Sequence, residues 1–308
     1  MRIVFFGTPL FAVPSLKALI QSGEEIAAVV TQPDKKKGRG HLLSHSPVKE
    51  LAVKEGLCIF QPASMKDADF LNELSLIKPE LIVVVAYGRI LSERILKLPA
   101  RGCLNVHASL LPKYRGAAPI PWAIINGEEF TGVTTMLMDK RLDTGDILLQ
   151  ESIPISDKDT AETLSRKLSE LGASLLLKTI KGIKEGSIKP RPQTGEASYA
   201  PVIKKEDGLL NWSKTAIELF NFVQGMYPWP GAYCHLNKER IKLIIVRALD
   251  GQGKPGRIER ALKDELVVGT AKGLISIIAL QPEGKKVMSA EAFLHGRNIK
   301  EGIYFDEK

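Results

Sequence analysis

The sequence predicts an α/β protein in which a Rossmann-like domain with a mostly parallel sheet precedes a small, OB-like β-barrel domain. A chain of 308 residues is longer than one domain of ordinary size, so two folded units are expected. Residues 1 to about 155 alternate β-rich runs with helical patterns, which is typical of a parallel sheet covered by helices. Beyond residue 206, short strand patterns separated by glycine turns follow closely, which is typical of a small barrel.

The first domain is expected to extend over residues 1–188 and to contain seven strands, each predicted by a run of apolar and β-branched residues. Helices are expected after the first strand, up to Leu19, and over 67–77 and 159–183, where apolar positions recur at helical spacing. The predicted strands cover 3–6, 26–30, 57–60, 81–85, 103–106, 133–138 and 147–152.

Residues 189–206 are rich in proline and poor in apolar residues, so they are predicted to form a linker over the surface. The second domain, residues 207–308, is predicted to begin with a helix over 214–224. Its strands are expected at 231–236, 240–249, 256–260, 265–269 and 273–280, and a final helix at 289–294 is expected to pack on them.

The composition is that of a globular protein, because 44% hydrophobic and 25% charged residues exclude disordered and fibrous classes. The longest apolar run, 81–87, is far shorter than the roughly 20 residues that cross a bilayer. Gly7 and Pro9 interrupt the first apolar run before a secretory leader can form, so a cytoplasmic protein without a membrane partner is expected. The three cysteines are widely spaced, which predicts buried thiols rather than disulfides or a zinc cluster.

The positive charge is concentrated in two places. Of the net charge of +8, residues 189–308 contribute +5, with 19 basic against 14 acidic residues. Residues 31–49 carry five basic residues against one acidic residue, Asp34. A basic loop and a basic small domain together favour a polyanionic partner.

The common cofactor motifs are absent from the sequence. The segment that follows the first strand, residues 7–12, lacks the second and third glycines of the dinucleotide fingerprint. The chain has no Gly-Lys-Ser/Thr phosphate loop and no cysteine pair at metal-ligand spacing. Nicotinamide, flavin and NTPase chemistry are therefore disfavoured, and no metal is expected.

Two polar residues, Asn105 and His107, close the apolar strand that begins at Cys103. Residues two apart on a strand leave the same face about 6.6 Å apart. They lie at the carboxyl end of a predicted parallel strand, where open α/β sheets bind ligands. An amide donor beside an imidazole can hold an oxyanion and exchange a proton, as acyl transfer requires. The alternative is that both side chains only satisfy backbone groups at a strand end.

A polar turn, Arg141 to Ile147, connects two strands of the same predicted sheet. Gly145 permits a positive φ there, so the turn can hold a carboxylate rigidly. We favour Asp143, which precedes the turn glycine, over Asp146, which begins the next strand. A carboxylate near His107 would stabilise its protonated ring; without that neighbour, Asp143 is an ordinary turn residue.

These segments resemble the folate-dependent formyltransferase family, and in particular its members that act on methionyl-tRNA. The similarity extends over nearly the whole chain. Its motifs are Phe6-Gly7-Thr8-Pro9, Thr31-Gln32-Pro33-Asp34, Val85-Ala86-Tyr87-Gly88, Asn105-Val106-His107, Ser109-Leu110-Leu111-Pro112, Arg115-Gly116-Ala117-Ala118-Pro119-Ile120, Leu142-Asp143-Thr144-Gly145-Asp146, Pro228-Trp229-Pro230 and Leu280-Gln281-Pro282-Glu283-Gly284-Lys285-Lys286. Lys140-Arg141 departs from the pattern, since other members more often have an acidic residue or glycine there.

The resemblance implies an enzyme of translation initiation that moves the formyl group of 10-formyltetrahydrofolate onto the α-amine of methionyl initiator tRNA. The catalytic residues implied are Asn105, His107 and Asp143: the first two hold the oxyanion, and the third stabilises the imidazolium and helps relay the proton. The segment formed by Ser109, Leu110, Leu111 and Pro112 matches the folate-binding segment of the family.

The resemblance also implies where tRNA binds. The family places a basic loop where this chain has Lys35, Lys36, Lys37 and Arg39, to hold the acceptor stem. In the C-terminal part, the further candidates for contacts with the phosphate backbone of the tRNA are Lys204, Lys205, Arg240, Lys242, Arg247, Lys285 and Lys286. Trp212, Trp229 and Tyr233 are candidates for stacking on bases, and core packing is expected for at least two of them. A monomer is expected.

Three other functions share parts of this pattern. A formyltransferase that acts on an amino-sugar nucleotide or another small amine has the same three catalytic residues, but it needs neither the basic loop nor the basic C-terminal part. A hydrolase that releases formate from formylfolate usually has additional domains. A non-catalytic RNA-binding protein on the same scaffold has no use for His107 and Asp143 beside a folate segment.

Overall fold

The computed structural model describes residues 1–37 and 42–305, and these residues form two compact units. The first unit comprises Met1–Pro119, Phe130–Pro154 and Ser165–Pro201. The second comprises Ile120–Glu129, Ile155–Leu164 and Val202–Lys308. Two short segments, 120–129 and 155–164, therefore belong to the second unit although they lie in the first part of the sequence.

The first unit is built on a seven-stranded sheet. Its strands are β1 (Arg2–Gly7), β2 (Glu25–Val30), β5 (Ile59–Phe60), β6 (Leu81–Val85), β7 (Cys103–His107), β9 (Phe130–Leu137) and β10 (Ile147–Pro154), while β3 (Lys35–Lys37), β4 (Leu42–Ser44), β8 (Arg115–Gly116) and β11 (Tyr199–Ala200) lie outside it. Every predicted strand of this part is present, with ends that differ by a few residues.

The strand order of this sheet is β10-β9-β7-β6-β1-β2-β5. The pairs from β7 to β5 are parallel, and β9 and β10 are antiparallel additions at one edge. The parallel strands are continuous apolar runs: all five residues of Leu81–Val85 are buried, as expected for a sheet covered on both faces. The predicted mostly parallel, Rossmann-like sheet is thus confirmed.

Within the described residues, six helices accompany these strands along the chain. They are α1 (Val13–Gln21), α2 (Pro47–Lys54), α3 (Ala68–Ile77), α4 (Glu93–Leu96), α5 (Pro119–Ile125) and α6 (Ala161–Glu185). The helix predicted over 67–77 begins where the Asp67 side chain accepts a hydrogen bond from the Phe70 N–H. Helix α2 was not predicted, although Ser46 caps it and Pro47 occupies its first turn.

The second unit contains a six-stranded antiparallel sheet curled into a half-barrel. Its elements are α7 (Ala216–Met226), β12 (Tyr233–Leu236), β13 (Glu239–Leu249), β14 (Ile258–Leu262), β15 (Glu265–Gly269), β16 (Leu274–Pro282), β17 (Met288–Ser289) and α8 (Ala290–His295). Alternating burial along β13 and β16 gives the sheet one apolar face. This agrees with the predicted C-terminal β-domain.

The three cysteines are free, and only two are buried. Burial raises the pKa of the Cys103 thiol to about 12 and raises that of Cys234 as well. The expectation of three buried thiols is wrong for Cys58, which is exposed because it lies in the loop before the two-residue strand β5. Throughout 1–37 and 42–305, no helix is long and apolar enough to cross a membrane.

Candidate active site

Asn105 and His107 occupy alternate positions at the carboxyl end of β7, as predicted. Strand β7 pairs in parallel with β6, Val84 lying opposite Asn105, and in antiparallel with β9, Thr134 lying opposite His107. Both side chains are at least nine-tenths buried. Alternation places them on the same face of the sheet.

The protonation pattern of His107 follows from its neighbour. The ring Nε2 lies 2.9 Å from the carbonyl oxygen of Tyr114, which can only accept a hydrogen bond, so Nε2 carries a proton. Nδ1 is therefore the atom that can take up or release a proton, and it faces Asp143. The distance from Nδ1 to Asp143 Oδ2 is 3.8 Å.

The Asp143 carboxylate is held by two donors. Its Oδ2 accepts a hydrogen bond from the Gly116 N–H at 2.8 Å, and its Oδ1 lies 3.5 Å from the Asn105 amide nitrogen. The structure thus brings together the three residues that were predicted as catalytic candidates. An amide donor, an imidazole with a free nitrogen and a carboxylate are the groups that stabilise an oxyanion and move a proton.

The turn that carries Asp143 differs from the prediction in one respect. Asp143 itself has the positive φ, 51°, and Gly145 does not. A Cβ atom at Gly145 would lie 1.7 Å from the Leu137 carbonyl oxygen, so glycine is required there by close packing against the backbone. The unusual Lys140-Arg141 pair is exposed; the Arg141 N–H donates to Asp139, whose carboxylate also accepts from the Thr144 hydroxyl.

The segment Ser109 to Pro112 follows β7 directly and is held by polar side chains of β9 and β10. The Thr134 hydroxyl donates to the Ser109 carbonyl and accepts from the Leu111 N–H. The Gln150 amide donates to the Leu111 carbonyl at 2.9 Å. Ser109 and Leu111 are buried, while Leu110 and Pro112 remain half-buried.

Three motifs of the resemblance meet at the carboxyl ends of β1, β2 and β6. The Thr8 hydroxyl and the Gln32 amide both donate to the Tyr87 carbonyl, at 3.2 and 2.8 Å. Gly88 beside them has a φ of 79°, in the left-handed region that favours glycine. Burial raises the pKa of Tyr87 to about 12.

The predicted basic loop lies partly within the described residues. Lys35, Lys36 and Lys37 form β3, which pairs in antiparallel with β4, whereas Arg39 lies outside the described residues. Asp34, directly before β3, accepts hydrogen bonds from Lys49, Gln61 and His45. These donors, Lys49 above all, lower the pKa of Asp34 to about 2.

The C-terminal candidates lie in the second unit. Lys204 and Lys205 are exposed. Lys242 is partly buried; desolvation, together with the charges of Arg240 and Lys205, lowers its pKa. The Arg240 guanidinium lies over the Tyr233 ring, 3.7 Å from its centroid.

The two tryptophans of this unit that were candidates for base stacking differ in their surroundings. Trp212 is buried and stacks on Phe305, whereas Trp229 is 60% exposed. Tyr233 is half-buried beneath Arg240. Trp212 is therefore a core residue, and of the two tryptophans only Trp229 has exposed ring surface that a base could stack on.

Gln193, in the predicted linker, also belongs to the site and was not among the candidates from the sequence. Its side-chain amide donates to the carbonyl oxygens of Asp143 and Gly145, at 2.8 and 2.9 Å. A single glutamine between Pro192 and Thr194 shows no periodicity or motif, so no local signal pointed to it.

The chain matches known families in both of its parts. Residues 1–180 match the family described as formyl transferase, and residues 202–298 match the formyl transferase C-terminal domain. The chain belongs to the formyl transferase family. This confirms the resemblance and makes the chain an enzyme of formyl transfer.

Relatives within the formyl transferase family align with nearly the whole chain. A methionyl-tRNA formyltransferase from Thermodesulfovibrio yellowstonii is 57% identical, with 98% of this chain and 97% of the relative aligned. A methionyl-tRNA formyltransferase from Caldanaerobacter subterraneus is 52% identical, with 98% and 99% aligned.

Solved structures share the formyl transferase fold at low identity. An N-formyltransferase from Helicobacter canadensis, in complex with folinic acid and dTDP-3-aminofucose, has a TM-score of 0.68 at 21% identity, covering 89% of this chain and 98% of that one. HypX from Aquifex aeolicus, in complex with tetrahydrofolic acid, has a TM-score of 0.67 at 19% identity. This alignment covers 98% of this chain and 48% of HypX, so the chain spans about half of that protein.

Proposed function

We propose that this formyl transferase moves the formyl group of 10-formyltetrahydrofolate to the α-amino group of methionyl initiator tRNA, for translation initiation in the cytoplasm. The observation that carries the proposal is the cluster of Asn105, His107 and Asp143 in a chain that aligns end to end with methionyl-tRNA formyltransferases. We also propose a monomer with a catalytic domain at 1–188, a linker at 189–206 and a tRNA-binding domain at 207–308.

In the proposed mechanism, the neutral methionyl amine attacks the formyl carbon and a C–N bond forms. The carbonyl oxygen becomes an oxyanion, which the Asn105 amide and the protonated His107 stabilise by donating hydrogen bonds. Because Nε2 of His107 is engaged by Tyr114, Nδ1–H is the donor. The bond from the formyl carbon to the folate nitrogen then breaks as that nitrogen takes up the Nδ1 proton of His107. The proton that the attacking amine loses, relayed with the help of Asp143, restores the imidazolium.

Asp143 is proposed to stabilise the imidazolium without taking its proton. The carboxylate is anchored by the Gly116 N–H, and its side chain is about nine-tenths buried, so its charge acts on Nδ1 through little water. The 3.8 Å separation leaves Nδ1–H free to point at a reacting atom rather than at the carboxylate.

The donor is proposed to contact Ser109, Leu110, Leu111 and Pro112. This assignment is supported by the hydrogen bonds that fix the segment to Thr134 and Gln150, immediately after strand β7. The half-buried Leu110 and Pro112 have apolar surface for a pterin-type ring, while the buried Ser109 and Leu111 fix the segment. The structures in complex with tetrahydrofolic acid and folinic acid share the fold. No metal is proposed to take part.

The acceptor is proposed to bind Lys35, Lys36, Lys37 and Arg39 in the first unit and Lys204 and Lys205 in the second. Lys205 belongs to a group of like charges with Arg240 and Lys242, and within the described part of the chain none of the three forms an ion pair. Phosphates of a nucleic acid would relieve their mutual repulsion and release counterions.

The experiment that tests this function compares acceptors for the purified protein with 10-formyltetrahydrofolate as donor. We expect N-formylmethionyl-tRNA from charged initiator tRNA, with kcat/KM at least ~10³-fold above those of free methionine and an amino-sugar nucleotide, because remote contacts with a long polyanion contribute binding energy to the transition state. Comparable values for a small amine would favour the small-amine formyltransferase instead, and binding of tRNA without product would favour a non-catalytic RNA-binding protein.

A further inference from the structure

The carboxylate of Asp143 is presented to the site from a backbone in the left-handed region. Its φ of 51° lies in the left-handed region, which residues other than glycine rarely adopt. Surrounding contacts must hold such a residue in place. Two carbonyl groups of this turn, those of Asp143 and Gly145, point at the side chain of one residue, Gln193.

Gln193 uses its whole amide group in this contact. Both N–H bonds are engaged, because Nε2 lies 2.8 Å from the Asp143 carbonyl and 2.9 Å from the Gly145 carbonyl. Its Oε1 accepts two hydrogen bonds from the Arg115 guanidinium, from Nε at 3.0 Å and from Nη2 at 2.7 Å. Arg115 only donates, so the orientation of the amide is fixed.

The hydrogen bonds of Gln193 and Gly116 connect Asp143 at two points to the segment that contains Arg115. Arg115 is followed by Gly116, whose N–H donates to Asp143 Oδ2, and is preceded by Tyr114, whose carbonyl holds His107. Gln193 therefore connects the backbone of the Asp143 turn to the backbone that holds both Asp143 and His107.

The main chain on both sides of Gln193 is itself anchored in the first unit. On one side, Arg191 forms a bridge with Ile147 through hydrogen bonds of 2.8 and 2.9 Å. On the other side, Ser198 accepts hydrogen bonds from the N–H groups of Arg115 and Tyr114, both at 2.9 Å, and β11 then pairs with β8. The backbone on both sides of Gln193 is therefore held in place by hydrogen bonds within the first unit.

We propose that Gln193 is a positioning residue for formyl transfer, which fixes the Asp143 turn and thereby sets the carboxylate opposite His107. The inference rests on the proposed function, since it assigns Gln193 a part in that reaction through Asp143. Gln193 acts through Asp143 and does not touch the reacting atoms. Its loss should therefore change kcat and leave the KM values of both substrates nearly unchanged.

Two substitutions separate positioning from simple packing. Gln193→Ala removes all four hydrogen bonds, whereas Gln193→Glu keeps the oxygen that accepts from Arg115 and places the second carboxylate oxygen against the two carbonyls. We expect both to lower kcat by between ten- and a hundredfold, because small displacements of catalytic groups have effects of this size. KM should change by less than about threefold, and the unfolding midpoint by only a few degrees.

A matched control uses another glutamine that bridges two carbonyls. The Gln224 amide lies 3.4 Å from the carbonyls of Asp157 and Asp159 in the second unit, and Gln224→Ala should keep wild-type kcat. A double-mutant cycle adds the decisive comparison: in an Asp143→Ala background, Gln193→Ala should cause little further loss of kcat. Full additivity would overturn the proposal, and so would wild-type kcat in Gln193→Glu.

A measurement that does not depend on enzyme activity tests the role of Gln193 independently of the proposed function. The Gly116 amide is protected by Asp143 Oδ2, so its hydrogen exchange, followed by NMR, should become at least about tenfold faster in Gln193→Ala and stay unchanged in Gln224→Ala. Unchanged exchange in Gln193→Ala would contradict the positioning role. An inactive wild-type protein with faster Gly116 exchange in the variant would reject the proposed function alone.

Discussion

Asp143 Oδ2 lies 3.8 Å from His107 Nδ1, beyond hydrogen-bond distance but within the range of a charge interaction. The imidazole is held at Nε2, away from Asp143, by the Tyr114 carbonyl, whereas the Gly116 N–H donates to Oδ2, the same carboxylate oxygen that lies nearest Nδ1. The loop from Tyr114 to Gly116 therefore sets the distance between them. The other carboxylate oxygen, Oδ1, lies 3.5 Å from the Asn105 amide nitrogen.

The basic loop is predicted to contribute salt-dependent affinity for tRNA. If Lys35, Lys36, Lys37 and Arg39 bind phosphates, replacing all four by alanine should make the slope of log K against log salt shallower by about 0.7 to 0.9 for each phosphate that is no longer neutralised. Arg39→Ala should weaken binding more than any single lysine change, because a guanidinium can hold a phosphate with two hydrogen bonds. Filter-binding across a salt series measures both effects.

Folate affinity serves as the internal reference for that experiment, because the proposed donor segment lies elsewhere in the first unit. The dissociation constant for 10-formyltetrahydrofolate should be the same in the fourfold variant and the wild type. A salt slope that stays at the wild-type value would mean that the four side chains are only solvated, and that tRNA affinity resides in the second unit.

Lys204 and Lys205 are predicted to act in the same way from the second unit. The double alanine variant should neutralise up to two fewer phosphates, with the corresponding decrease in salt slope. The control is Lys178→Ala with Lys181→Ala, which removes the same charge from lysines that already pair with Glu151 and Glu185. Equal slopes for the two double variants would argue against the assignment of Lys204 and Lys205.

Thiol labelling should show that Cys58 is more reactive than the other two cysteines. The thiolate is the reactive form, and burial raises the pKa of Cys103 and Cys234 while shielding both sulfur atoms. Iodoacetamide at pH 8 should therefore modify Cys58 in the native protein and all three cysteines in denaturant, as followed by peptide mass spectrometry. Rapid labelling of Cys103 without denaturant would contradict this packing.

Stability should depend on pH through Asp34. Its folded pKa of about 2 lies below the unfolded value of about 3.9, so its contribution is present above pH 4 and is lost as the pH falls towards 2. Asp34→Asn should lower the urea midpoint at pH 7, by an amount that shrinks between about pH 4.5 and pH 2.5. A difference that stays constant with pH would show that charge is not the cause.

Most of the regular structure could be predicted because its signals are local. Leu81–Val85 is an unbroken apolar run and forms a strand buried on both faces. The strand alternation that places Asn105 beside His107 is also local, so these two candidate residues could be predicted from the sequence. Asp143 could be found because its turn carries a glycine between two strands.

The remaining features depend on contacts between distant parts of the chain. The positive φ at Asp143, and the need for glycine at 145, arise from the approach of the Leu137 carbonyl and from the hydrogen bonds to Gln193. Gln193 lies 50 residues from Asp143 in a segment without periodicity, so no local pattern reports their contact. The prediction for Cys58 was wrong because strand β5 is shorter than its apolar run suggested.

Single-turnover formylation, at saturating charged initiator tRNA and 10-formyltetrahydrofolate, is the critical test of the proposed catalytic cluster. Asn105→Ala, His107→Ala and Asp143→Ala should each lower the rate by about 10²-fold or more, with unchanged unfolding midpoints and tRNA affinity, because each removes an interaction made chiefly in the transition state. Asp146→Ala, an exposed carboxylate in the same turn, is the matched control and should keep the wild-type rate. Near-normal turnover in His107→Ala would contradict the mechanism.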